Sequence, residues 1–244
     1  MWPNKRSKKE KIDVFIHIPK AAGSSVRSLI ETNYPVNRQV SIYRTGGAVL
    51  HDILSSLADN QLETGDIVYG HIPVVVHNYT DRHCDYFTFL REPIDRVTSF
   101  FKFVKYDFPD HPNHMAFKSG AVTFKMFCNR NHIEANKMTQ MLSGFDRVNF
   151  CNADMLESAK KTLKNLKFLG FFDEFSESVH DCGKQLGWNM DGFEVRNISS
   201  KLNKDFYTDE GVNDVDIQAL KKVNRFDVEL YEFALDLREK RRHF

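Results

Sequence analysis

Short apolar runs alternate with amphipathic stretches along this chain. "DVFIHI", residues 13–18, is apolar and rich in β-branched residues, the pattern of a buried strand. Similar runs recur as "DIVYGH" at 66–71, "DYFTFL" at 85–90 and "LKFLGFF" at 166–172. Helical patterns fall between and after them. The spacing predicts helices over 24–32, over 48–57 with Val49, Leu50, Ile53, Leu54 and Leu57 apolar, and from Pro93 to about Val104. Pro93 suits a first helical turn, where no amide donor is needed. Further helices are predicted over 122–128, 133–143, 154–165 and 173–186, and a single long one over 212–241. The polar, proline-bearing stretch "KYDFPDHPNHMAFKSG", 105–120, reads as a loop long enough to carry function. "FEVRNIS", 193–199, ends in a polar turn. Strands alternating with helices predict an α/β domain with a largely parallel central sheet flanked by helices. Residues 1–10 read as a basic flexible tail, and 11–244 as one domain with no internal repeat.

Composition adds exclusions. The chain has 244 residues, 41% hydrophobic and 27% charged, with a formal net charge of +1. That balance argues against a general nucleic-acid binder and leaves room for a local basic site. Four scattered cysteines, Cys84, Cys128, Cys151 and Cys182, form no CxxC pair or zinc spacing and read as reduced thiols. No apolar stretch approaches a membrane span, and the basic start lacks a signal-peptide core. A soluble, cytoplasmic protein is expected, and "NYT" and "NIS" are read as chance sequons.

The chemistry centres on "HIPKAAGSSVRSL", residues 17–29. A strand runs through a glycine-bearing turn into a helix, the geometry that presents unpaired backbone N–H groups and a helix dipole to an anion. Gly23 permits close backbone approach, Ser24 and Ser25 add hydroxyl donors, and Lys20 adds a point charge. In a Walker A loop the lysine immediately precedes the hydroxyl residue; here it opens the loop, and no flanking strand offers an obvious second carboxylate. An ordinary turn with a serine N-cap is the alternative. A second cluster lies in "FTFLREPIDRVTSFF", 87–101, where Arg91 follows a strand and Ser99 sits on the next helix. Ligands in open α/β sheets bind at the carboxyl ends of strands, and an arginine fork suits a phosphate. Pairing of Arg91 with Glu92 or Asp95 is the competing reading.

These two stretches resemble the nucleotide-binding motifs of sulfotransferases that use 3′-phosphoadenosine 5′-phosphosulfate (PAPS), and within them the carbohydrate (heparan/dermatan uronyl) 2-O branch. The resemblance implies a P-loop-like sulfotransferase fold and sulfuryl transfer from PAPS, without metal, to a hydroxyl acceptor of carbohydrate type. It places Lys20, Ala21, Ala22, Gly23, Ser24 and Ser25 on the 5′-phosphosulfate, with Lys20 also catalytic, and Arg91 and Ser99 on the 3′-phosphate. "VRNISSKLNK" resembles a late loop over the nucleotide, with Arg196, Ser199 and Lys201 as candidates. His71, after Gly70, matches the branch's catalytic base, although Tyr69 stands where that branch often has another histidine. "NKMTQMLSG", 136–144, resembles a segment lining the acceptor cleft. Golgi relatives carry a membrane anchor, so a Golgi-lumenal catalytic domain is the alternative location.

Other features read more plainly. His17 is expected to hold the loop, His111 and His114 to be loop residues without a metal, and Lys102 and Lys105 to lie on a solvated helix face. The rival functions are a kinase with a divergent phosphate loop and an inactive nucleotide- or glycan-binding module.

Overall fold

The computed structural model describes residues 11–43, 50–58, 60–145, 150–193 and 203–242. Five strands form one sheet: β1 (Lys11–Ile16), β2 (Gln39–Ile42), β3 (Ile67–Gly70), β4 (His83–Leu90) and β5 (Phe168–Phe171). They lie in the order β2-β3-β1-β4-β5, and every pairing is parallel. The expected α/β architecture is therefore present.

Both faces of the sheet are covered, which explains why its strands read as continuous apolar runs. Ile12, Val14 and Ile16 of β1 point to one face, packing with Leu54 of α2 (Leu50–Ala58), Leu142 of α7 (Lys137–Leu142), Leu163 of α8 (Ala153–Asn165) and Leu230 of α12 (Arg225–Arg242). Phe15, Phe87 and Phe89 point to the other, against Val26 and Ile30 of α1 (Gly23–Asn33) and Val179 of α9 (Phe175–Leu186). A third, phenylalanine-rich cluster joins α4 (Pro93–Tyr106) to α5 (His114–Lys118), α6 (Phe124–Cys128), α10 (Asn203–Asp209) and α11 (Asp214–Val223). The other α-helix among the described residues is α3 (Gln61–Thr64).

Three expectations are corrected. The 212–241 helix is two helices that break at Asn224, which is fully buried. Asn136 causes the break: its side-chain oxygen accepts from Phe226 N at 2.9 Å and Asp227 N at 3.2 Å, starting α12 afresh. Asn224 Oδ1 in turn accepts from Asn136 N at 3.2 Å. The predicted 133–143 helix begins only at Lys137, because Asn136 takes a left-handed φ of 55°. The 105–120 stretch holds α5 inside it, anchored by buried His114, whose Nδ1 lies 2.8 Å from Val104 O. Strand β2 lacked a sequence signal. The four cysteines form no disulfide.

Candidate active site

The carboxyl ends of β1, β3 and β4 open on one cleft of about 1930 Å³. β1 leads into the loop that ends at Gly23, the first residue of α1. Lys20 and Ala22 both take left-handed backbone conformations, φ 66° and 67°. Such alternation makes a backbone concavity suited to an anion. Ala22 occupies the N-cap position without any side-chain cap, so neither serine is used as a cap. Ser24 and Ser25 sit in the first helical turn and line the cleft with Lys20, Ala22 and Gly23. Ala21 faces inward: it is buried, and its amide donates to Ile18 O at 3.3 Å. A Cβ at position 23 would lie 1.8 Å from the His17 ring, so any other residue there must displace that ring.

β4 delivers Arg91, 7% exposed, beneath this loop. Its Nη1 donates to Lys20 O at 3.2 Å across 71 residues of sequence, and the guanidinium lies 4.1 Å from the Phe172 ring centroid. Glu92, the nearest acid in sequence, spends its carboxylate capping α4 through Asp95 N at 2.7 Å. The Arg91 Nε is buried and has no partner among the described residues. Lys20 Nζ rests 3.9 Å from the Phe103 ring centroid. Burial and then the Arg91 charge lower the Lys20 pKa, and burial and then Arg91 likewise lower that of Lys102. Lys20, Arg91 and Lys102 thus bring three cationic side chains near one another at this end of the sheet. Ser99 lines the same cleft.

β3 delivers His71. Gly70 takes φ 154°, and a Cβ on it would fall 2.0 Å from Ile42 O, so only glycine lets the chain pass β2 here. His71 N then donates to Ile42 O at 3.1 Å. The ring is exposed to the cleft, yet its packed surroundings push its pKa down to about 4, burial first and Lys137 also lowering it against Glu134. It is neutral at pH 7 and can accept a proton. Its ring lies 4.6 Å from that of His17 and 5.0 Å from that of Tyr43.

The far wall was not legible as chemistry. Asn136, Lys137, Gln140 and Met141 of the 136–144 segment line the cleft, with Glu134 before them and Lys222 and Arg225 beside the Asn224 break. Glu134 pairs with fully buried Arg96 at 2.9 Å, which outweighs burial and holds its carboxyl below the usual range. Asp227 fixes this wall by accepting from Thr139 N at 2.7 Å and Met138 N at 3.1 Å. From the 105–120 stretch, Phe108, His111, Pro112 and Asn113 line the cleft. Lys105 is not a solvated lysine; it pairs with Glu210. Lys102 lies 5.1 Å from the Phe206 ring centroid. Arg196, Ser199 and Lys201 lie outside the described residues. Among the described residues no group of three or more His, Cys, Asp or Glu side chains is placed to hold a metal, and no helix is long and apolar enough to cross a membrane.

The model of the sulfotransferase family matches residues 5–234. This chain belongs to the sulfotransferase family. Among solved structures it is similar to a mouse sulfotransferase, SULT7A1, complexed with PAP, at 16% identity and a TM-score of 0.35. That match covers 80% of this chain and 63% of the mouse chain. No curated protein matches. Family membership rests on the sequence match.

Proposed function

We propose that this cleft transfers the sulfuryl group of PAPS to a hydroxyl of a carbohydrate acceptor, of the uronyl 2-O type, and that residues 11–244 act as one catalytic domain. The observation that carries the reading is Arg91. It is buried, one nitrogen is held on the phosphate-loop carbonyl of Lys20, and another lacks a partner among the described residues, so two motifs far apart in sequence form one cationic floor. A ligand with phosphates at both ends of an adenosine fits that floor.

Bound PAPS would supply the sulfuryl group and leave as the bisphosphate PAP. The chain's own residues then have distinct tasks. Gly23, Ser24 and Ser25 cradle the 5′-phosphosulfate with amide and hydroxyl donors. Lys20 holds a positive charge against the bridging oxygen as negative charge develops there. Arg91 and Ser99 hold the 3′-phosphate. His71, neutral and facing the cleft, takes the proton from the acceptor hydroxyl. Positioning and electrostatics supply most of the rate, as in phosphoryl transfer. The kinase alternative is disfavoured because His71 and Arg91 stand at the ends of the strands flanking β1. Lys137, Lys222 and Arg225 on the far wall favour an acceptor that carries negative charge.

The test is transfer of label from ³⁵S-PAPS to a panel of glycan, lipid and phenolic acceptors. Label on uronic-acid-containing glycans supports the reading. Label only on phenols or lipids overturns the acceptor class, and no label on any acceptor overturns the activity.

A further inference from the structure

His17 has no assigned task beyond holding the loop, yet its surroundings point to one. It is 8% exposed and stacks on Phe15, ring centroids 5.6 Å apart. Its Nδ1 lies 2.7 Å from Tyr43 Oη. The other nitrogen, Nε2, lies over the first residue of α1: a Cβ built on Gly23 would come within 1.8 Å of it. Nε2 has no protein partner among the described residues, and the ring lines the cleft. The Tyr43 hydroxyl has no acceptor other than Nδ1 among the described residues. A phenol that donates to Nδ1 leaves the single proton of a neutral imidazole on Nε2. An N–H then lies beside Gly23, where the loop passes into α1.

We infer that His17, locked in one tautomer by Tyr43, donates an Nε2–H hydrogen bond to the phosphosulfate seated at the N-terminus of α1. The inference rests on the sulfotransferase reading above. It gives His17 a binding role distinct from the proton-accepting role of His71, although the two rings touch. It also gives Gly23 a second purpose, since the absence of a Cβ lets an imidazole reach the loop. Tyr43, in turn, is a positioning residue that acts through Nδ1 of His17.

The test compares full-length wild type with His17→Leu, His17→Gln and Tyr43→Phe. Affinities are measured for PAP and for adenosine 3′-phosphate, which lacks the 5′-phosphate. A donor to phosphate is expected to matter by roughly 10- to 150-fold. His17→Leu should lose that factor for PAP and almost nothing for adenosine 3′-phosphate. His17→Gln, whose amide nitrogen reaches the Nε2 position, should recover most of it, and Tyr43→Phe should fall between. In wild type the Nε2 proton resonance should move downfield when PAP is added. Equal losses for both nucleotides, or unchanged PAP affinity in His17→Leu, overturn the inference while leaving the sulfotransferase reading intact. An unmoved Nε2 proton overturns it even if the leucine variant fails to fold. If wild type binds no PAP, the sulfotransferase reading falls, and this inference falls with it.

Discussion

Acidification should weaken this fold through His17, and the size of the effect follows from where the ring sits. Burial, followed by the charges of His71, Arg27 and Lys20, lowers its pKa from 6.5 to about 3. The unfolded chain therefore binds a proton well before the folded one does. Stability from this group is fully present above pH 6.5 and is lost as pH falls towards 3. Linkage across that gap gives a loss of about 3 kcal/mol between pH 7 and pH 4. Solvent screening calls for little discount, since the residue is 8% exposed. The assay is urea unfolding at pH 7, 6, 5 and 4 for wild type and His17→Gln. The same pair is also compared in a His71→Ala background, because the His71 charge contributes to the His17 shift and the two titrations are coupled. Wild type should lose about 3 kcal/mol more than the variant over that range. Parallel stability curves would refute the argument, because they would mean that His17 is protonated as readily in the fold as out of it.

Other outcomes follow from the same geometry. Arg91→Gln should weaken PAP binding by roughly 10- to 150-fold in calorimetry and weaken adenosine 5′-phosphosulfate, which lacks the 3′-phosphate, far less; equal losses would assign Arg91 to the loop alone. His71→Ala should melt within a few degrees of wild type and bind PAP normally, while turnover falls by roughly 100- to 10,000-fold. Because the His71 pKa is lowered to about 4, wild-type kcat/KM should rise with pH through about 4 and then level, a limb the alanine variant lacks. Gly23→Ala should cost on the order of 1–3 kcal/mol in unfolding experiments, since the new methyl must displace the His17 ring.

Legibility in the sequence tracks locality. The phosphate loop could be read because strand, turn and helix start adjoin one another, and each residue type there serves a local need. The strands β1, β3, β4 and β5 were visible because parallel strands buried on both faces are apolar throughout. β2, "QVSI", escaped because it is four residues long and half polar. The break at Asn224 was invisible for a different reason: a helix pattern runs straight through it, and the residue that interrupts it, Asn136, lies 88 positions away. The same long-range packing brings Lys222 and Arg225 to the cleft. Tyr43 offered no signal because its role exists only through His17. Of the two acids that compete locally for Arg91, Glu92 is taken by the helix N-terminus.

The central claim is that the loop at Lys20 and the strand end at Arg91 form one site for a nucleotide with both 5′- and 3′-phosphates. Isothermal titration of the protein with PAP in the presence of EDTA tests it most directly, with ATP–Mg²⁺ titrated separately. Stoichiometric PAP binding without metal is expected, with a gain of about 2.7 kcal/mol in unfolding stability at 100 times the dissociation constant. ATP–Mg²⁺ should bind far more weakly. Tight binding of ATP–Mg²⁺ with none of PAP would overturn the two-phosphate site and make the loop a kinase site.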